Sequence, residues 1–288
     1  MERLLASFTT SPRPVVVGLV LHVALALACA AALPLDLPPI QGVHPALKPL
    51  KFGLSIAIFL ATMGLILPHL DVDPRVREAL GWVLAVTMLI ETTPIVVQAI
   101  RGTTSHFNTR SPLDAAAWRT MVAAIVVATV AMALVALLAS ARPLLGLDGA
   151  LALAVRAGLW ILLLAAWTGF AMGGRDSHSV GGEDGGVGLP FVHWSVRHGD
   201  LRAAHFFALH GLQVLPVLAL LLSSLGVGER ASTAIVLTSA ALYLALCLGT
   251  AAIAFAGRPL GGSNLAPRLD ALNRARSTGD APGKHPGT

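Results

Sequence analysis

Polar side chains that could bind a metal or transfer a proton occur within an otherwise apolar segment at residues 199–216, GDLRAAHFFALHGLQVLP. His205, His210 and Gln213 stand where a membrane-spanning helix normally carries apolar residues. At about 100° per residue, Arg202 falls on the same arc of a helix as these three residues. Imidazole binds haem iron, copper and zinc, and it also transfers protons near neutral pH. The pattern therefore predicts a metal-binding or proton-transfer site on one face of this helix.

A carboxylate occurs within another apolar segment. Glu91 and Gln98 are seven residues apart in the sequence, so they share one face of a helix. A charged side chain at the bilayer centre costs about 2.5–3.5 kcal/mol on insertion scales, and such residues normally face the bundle interior. We expect Glu91 to be paired, hydrated or protonated there. The alternative is a hydrogen bond that only holds two helices together.

Cations and a further histidine flank these apolar segments. Lys48 precedes one segment and Lys51 begins it, whereas Arg101 and His106 follow another segment in QAIRGTTSHFN. We predict that Glu91, His205 and His210 perform the chemistry, and that His106, His205 and His210 are metal ligands. The residues predicted to bind a cofactor or solute are His106, Gln98, Gln213, Lys48, Lys51, Arg101 and Arg202.

Two classes of function fit these residues. The first is a membrane redox or metal protein that holds haem b or a transition-metal ion on its histidines and exchanges electrons with a carrier. The second is a transporter or a proton or ion pathway, in which Glu91 and the histidines pass protons and the lysines attract a small anionic solute. A plainer alternative is an accessory protein whose polar stripes only pack helices together.

Known catalytic motifs do not narrow this choice. The sequence contains no Walker motif, nucleophile elbow, Rossmann fingerprint or CxxCH haem attachment. Nucleic-acid binding has no support beyond the basic tail, for which contact with anionic lipid is the better explanation. Whether the protein is an enzyme is left open by the sequence.

The composition predicts the environment in which these residues act. Of 288 residues, 55% are hydrophobic and 12% are charged, and the mean hydropathy is +0.75. Soluble proteins contain about 25% charged residues, so the chain is predicted to be a polytopic membrane protein embedded in a lipid bilayer. Cys29 and Cys247 both lie in apolar runs, which excludes a disulfide framework.

Seven apolar segments are long enough to span a bilayer, for which about 20 residues are needed. They cover residues 14–33, 51–70, 79–100, 119–140, 147–172, 202–225 and 231–256. The sequence thus predicts an all-α bundle of seven transmembrane helices in one domain, residues 1–257. Residues 258–288 are predicted to form a basic cytosolic tail that is mostly disordered. The first segment also resembles a signal peptide, and its removal would leave six spans.

Positive charge is unequally divided between the two predicted membrane sides. One side carries Arg3, Arg13, Arg75, Arg77, Arg142 and Arg230, which are six cations, and the other side carries thirteen. The positive-inside rule places the second side in the cytoplasm. The N-terminus is then outside, the C-terminus is cytoplasmic, and the polar site lies near the cytoplasmic face of the plasma membrane.

Three segments resemble those of a family of bacterial multi-pass membrane proteins whose activity is uncharacterised. They are HPALKPLKFGLSIAIFLATMG, QAIRGTTSHFN, and DGGVGLPFVHWS followed by GDLRAAHFFALHGLQVLP. The shared elements are the SHFN loop and the GDLRxAHFxxLHxLQxLP helix, and the resemblance covers roughly residues 44–220. It implies the helix layout and the importance of these motifs, but it implies no reaction.

Overall fold

Seven α-helices dominate the computed structural model, which describes residues 8–261 and residue 267. They are α1 (Arg13–Ala32), α2 (Leu47–Ile66), α3 (Pro74–Ile100), α4 (Pro112–Ala141), α5 (Gly149–Gly173), α6 (Leu201–Ser224) and α7 (Glu229–Phe255). Short 3-10 turns cover Phe8–Thr10 and Leu67–His69, and β1 (Ser179–Val180) pairs antiparallel with β2 (Gly199–Asp200). The predicted all-α fold is confirmed. Nearly all of the predicted tail lies outside the described residues.

Capping residues, rather than hydropathy, decide where two of these helices begin. α3 starts at Pro74, because the Asp73 side chain accepts a hydrogen bond from the backbone N–H of Arg75 at 2.7 Å. α4 starts at Pro112 after Ser111, whose hydroxyl oxygen accepts from the backbone N–H of Asp114 at 3.2 Å. Both helices therefore begin earlier than the apolar segments from which they were predicted.

Large apolar side chains cover the outer faces of the helices. Val130 is 65% exposed and Leu242 is 67% exposed, and many similar residues accompany them. All seven helices within the described residues are long and apolar enough to cross a membrane. Because the backbone N–H and C=O groups of a helix bond to each other, such faces can contact lipid without leaving backbone polar groups unsatisfied. The chain is a multi-pass membrane protein in a lipid bilayer.

The chain divides into two compact units, which are described separately. Unit 1 comprises Met1–Ala166 and Ala208–Leu244, and unit 2 comprises Trp167–Phe207 and Ala245–Thr288. In unit 1, α1 packs against α2 and α3, and α3 packs against α2 and α4. In unit 2, an apolar cluster forms at the start of α6, where Leu201 packs with Val180 and Ala254.

Unit 1 is layered along its helices. Its middle is apolar, since Leu60 and Met63 of α2 and Leu84 of α3 are fully buried. Polar side chains gather at the end where α2 begins and α3 ends, which we call the polar end. Glu91 lies nine residues before the last residue of α3, about 14 Å along the helix at 1.5 Å per residue. The polar end therefore reaches from the surface toward the apolar middle.

The first helix also contributes a polar contact. His22 lies within the apolar run of α1, and its imidazole is only 1% exposed. Its Nδ1 lies 2.7 Å from the Gly18 carbonyl oxygen, and its Nε2 lies 3.3 Å from the Thr92 hydroxyl of α3. His22 therefore helps to join α1 to α3.

Candidate functional site

A buried carboxyl group lies at the centre of the polar end. Glu91 of α3 is 8% exposed, and its Oε1 atom lies 3.8 Å from Nε2 of His106. Its other oxygen, Oε2, is buried and has no hydrogen-bond partner among the described residues. Leaving a buried acceptor unpaired costs about 1–3 kcal/mol, and more when it is charged. A group held at such a cost is a candidate for function.

The imidazole beside this carboxyl comes from the loop between α3 and α4. The Lys48 Nζ atom lies 3.2 Å from His106 Nδ1, and the Ser105 Oγ atom lies 3.1 Å from the same nitrogen. Phe52 of α2 and Trp118 of α4 flank the ring, with centroid distances of 5.6 Å and 5.4 Å. His106 is thus held by side chains from two helices and its own loop.

The backbone of this loop is strained next to the histidine. Phe107 has a φ of 56°, in the left-handed region that bulky residues rarely adopt. Such strain costs on the order of 1–3 kcal/mol and persists only where the surroundings enforce it. Here the Asn108 side chain donates hydrogen bonds to the Thr103 hydroxyl at 3.1 Å and to the Thr104 carbonyl at 2.8 Å. These hydrogen bonds of Asn108 therefore stabilise the loop conformation that presents His106.

A second polar cluster closes the surface side of the polar end. Asp114 accepts at Oδ1 from Gln98 Nε2 at 2.7 Å and from Arg101 Nη1 at 2.6 Å. Its Oδ2 accepts from the Ser111 hydroxyl at 2.7 Å. Gln98 and Arg101 were predicted as site residues, but Asp114 was missed. The S-x-x-D spacing of Ser111 and Asp114 is the helix-start signature that could have identified it.

The remaining predicted residues of unit 1 have more peripheral positions. Gln213 of α6 donates from Nε2 to the Thr62 hydroxyl of α2 at 3.1 Å, so it connects two helices. Lys51 is half-buried on α2, three residues after Lys48, and His210 is half-buried on α6. The structure thus brings Glu91, His106 and Lys48 together and places the other residues of unit 1 around or beyond them.

Two predicted residues belong to unit 2 and have partners within it. His205 Nδ1 lies 3.2 Å from the Thr168 hydroxyl. Arg202 forms an ion pair with Asp200 at 2.6 Å and donates to the His193 carbonyl. Arg202 and His205 lie in the first turns of α6. Their role in chemistry stays a prediction.

The glycine-rich loop of unit 2 is organised by carboxylates. Asp184 accepts from the Ser177 hydroxyl at 2.8 Å and from the Ser179 backbone N–H at 2.9 Å, and His178 Nδ1 lies 3.2 Å from its Oδ1. Burial alone would raise the pKa of Asp184, but these hydrogen bonds and the charge of His178 outweigh it. The pKa of Asp184 is therefore below its usual value.

Metal binding was the other predicted role of the histidines. Among residues 8–261, no group of three or more His, Cys, Asp or Glu side chains is arranged to hold a metal ion. Each ring nitrogen of His106 already faces a protein group. The predicted metal or haem roles of His106, His205 and His210 stay predictions.

Comparison with protein-family models, with curated proteins and with solved structures finds no match.

Proposed function

We propose that this membrane protein carries out proton-linked transport of a small anionic solute, with Glu91 as the proton-binding group. The observation that carries the proposal is the state of the Glu91 carboxyl group. One oxygen is buried without a partner, and the other faces an imidazole whose second nitrogen faces an ammonium group. Ionisable groups within membrane spans typically mark proton relays or substrate pathways.

His106 connects Glu91 to the exposed side of the polar end. Its side chain is 23% exposed, whereas that of Glu91 is 10% exposed. The ring takes up one proton at Nδ1 and releases a different proton from Nε2 to Glu91. This leaves the ring neutral in its other tautomer. The 3.8 Å gap exceeds hydrogen-bond length by about 1 Å, so transfer needs a small approach or one bridging water.

The charges around Glu91 link the proton to an anion. Lys48 contacts His106, and Lys51 follows three residues later on the same helix. Arg101, at the end of α3, forms an ion pair with Asp114. When Glu91 takes up a proton, it loses its negative charge, and the lysine charge then attracts an anion more strongly. Proton binding and anion binding favour each other, and this coupling is reciprocal.

The apolar middle of unit 1 provides the barrier that transport requires. Leu60, Met63 and Leu84 are fully buried beyond the site, on the side away from the polar end. A polar site that is closed on one side by packed apolar residues fits one state of an alternating-access cycle. A site with open polar groups on both sides would instead leak protons.

The proposal is tested on purified protein in liposomes. Infrared difference spectra recorded between two pH values should contain a carboxyl band that is absent from Glu91→Gln. Proton uptake, followed with an entrapped pH dye while small inorganic and organic anions are added in turn, should fall by about 100-fold in the same variant. Glu78→Gln, on the same helix outside the polar end, is the matched control and should resemble the wild type.

Either of two results would overturn the proposal. One is that the wild type and Glu91→Gln show the same carboxyl bands in their infrared difference spectra. The other is anion-dependent proton uptake that proceeds equally well in the wild type and in Glu91→Gln.

A further inference from the structure

We infer that Lys48 and Ser105 are positioning residues, which hold His106 in the tautomer whose Nε2–H points at Glu91. This inference rests on the proposed function, because it assigns how the proton-transferring imidazole is oriented. It concerns two residues that do not themselves bind the proton.

The hydrogen-bonding capacity of lysine carries the assignment. A lysine ammonium group has three donors and no acceptor. The Lys48 Nζ atom lies 3.2 Å from His106 Nδ1, so a hydrogen bond between them requires a lone pair on Nδ1. A neutral imidazole with a lone pair on Nδ1 carries its hydrogen on Nε2. That nitrogen is the one 3.8 Å from the Glu91 carboxylate.

At rest the Nε2–H tautomer fits this environment best, and the other two forms of the ring are transient states of the proposed proton transfer. The opposite tautomer would place its N–H against the Lys48 ammonium group and would turn a lone pair toward the Glu91 carboxylate. A doubly protonated ring would also place an N–H against Lys48. The Ser105 hydroxyl, 3.1 Å from Nδ1, can donate to the same lone pair and thus supports the Nε2–H tautomer.

The ring plane is set independently of the tautomer. Phe52 and Trp118 flank the imidazole, and Phe107 meets it edge-on at a centroid distance of 6.0 Å. A ring held in this way cannot easily exchange its two nitrogens by rotation. The charged groups that face it within the described residues include Lys48 from α2 and Glu91 from α3, and α4 contributes the uncharged Trp118.

The test uses the full-length protein in lipid with nitrogen-15-labelled histidine. Nitrogen NMR distinguishes a ring nitrogen that carries hydrogen from one with a lone pair, and the signals of His106 are those lost in His106→Gln. The wild type should show hydrogen on Nε2. The double variant Lys48→Met with Ser105→Ala should show a mixture of both tautomers. The single variant Lys48→Arg, which keeps a charged donor at this position, should show the wild-type pattern.

Controls separate positioning from general effects of charge or folding. Lys51→Met removes the same charge three residues along α2 and should leave the His106 tautomer unchanged. Thermal unfolding of every variant checks that it is folded. The pH profile of anion-dependent proton uptake should be shifted in the double variant and should match the wild-type profile in the single variant Lys48→Arg.

Three outcomes would overturn the inference: hydrogen on Nδ1 in the wild type, an unchanged tautomer in the double variant, or an equal change in Lys51→Met. The proposed function fails in a different way. If Glu91→Gln leaves the infrared spectrum and proton uptake unaltered while the tautomer responds as expected, the positioning stands and the transport proposal falls.

Discussion

Glu91 and Asp184 each lie beside a histidine, and the hydrogen bonding of their carboxyl groups differs. Glu91 has an unpaired oxygen in a membrane-spanning helix, whereas Asp184 accepts several hydrogen bonds in a loop. Hydrogen bonds to a carboxylate stabilise its charged form, and an unpaired buried oxygen does not. Asp184 is therefore suited to hold a loop in place, while Glu91 is suited to change its protonation.

The lowered pKa of Asp184 predicts an acid-sensitive loop. A group whose folded-state pKa is depressed stabilises the fold above its unfolded pKa, about 3.9 for aspartate, and this stabilisation is lost as pH falls through the folded value. The protection of the loop amides, measured as their exchange rate relative to the intrinsic rate at the same pH, should therefore decrease as the pH falls below about 4. Asp184→Asn should show fast exchange already at neutral pH.

The adjacent Glu183 provides the control for this experiment. It is exposed, so Glu183→Gln should exchange like the wild type at each pH. Equal exchange in Asp184→Asn and the wild type at neutral pH would contradict the role given to Asp184.

At the scale of helices, close packing depends on residues without side chains. A Cβ atom at Gly158 of α5 would lie 2.7 Å from the Leu212 Cα atom and 3.0 Å from the Gly211 carbonyl oxygen of α6. These neighbours are backbone atoms, so they cannot move aside by changing rotamer. Small residues at such positions are what allow membrane helices to approach closely.

We expect Gly158→Ala to lower the free energy of unfolding by about 1–3 kcal/mol, the usual range for overpacking. The matched control is Gly249→Ala in α7, where a Cβ would meet nothing within 4 Å. That variant should be neutral or gain up to about 1 kcal/mol from helix propensity. Denaturant unfolding in detergent measures both, and equal effects in the two variants would refute the packing argument.

At the scale of the whole molecule, charge asymmetry predicts the orientation in the membrane. Six lysines and arginines lie on one predicted side and thirteen on the other, which predicts a cytoplasmic polar end. With Cys29 and Cys247 replaced by Ala, a cysteine introduced at Thr109 should react with an impermeant reagent only after cells are opened. A cysteine at Asp71, on the opposite side, should react in intact cells. The reverse pattern would invert the topology.

The parts of the site that could be predicted are those that depend on a single segment. Glu91 and Gln98 were found because a carboxylate and an amide within an apolar helix are expensive wherever that helix packs. Lys48 was found because it precedes the second apolar segment, and Arg101 and His106 because they follow the segment that contains Glu91. Asp114 was missed because its importance depends on Gln98 and Arg101, which approach it from the end of α3.

The predicted grouping of His205 with Gln213 shows what helical periodicity cannot specify. A helical arc reports direction around the axis and ignores distance along it. His205 and Gln213 share an arc, yet eight residues separate them by about 12 Å along α6. In the structure, each contacts a different helix: His205 meets Thr168 of α5, and Gln213 meets Thr62 of α2.

Hydropathy and charge, read from the sequence alone, determined that this chain is an all-α membrane protein with seven spans, because these properties add up locally along each segment. Tertiary structure decided which groups face each other: the unpaired oxygen of Glu91, the contact between Lys48 and His106, and the strained Phe107 beside it. Those contacts join residues from separate helices and loops. Their distances depend on how the elements pack together, which the properties of any one segment do not specify.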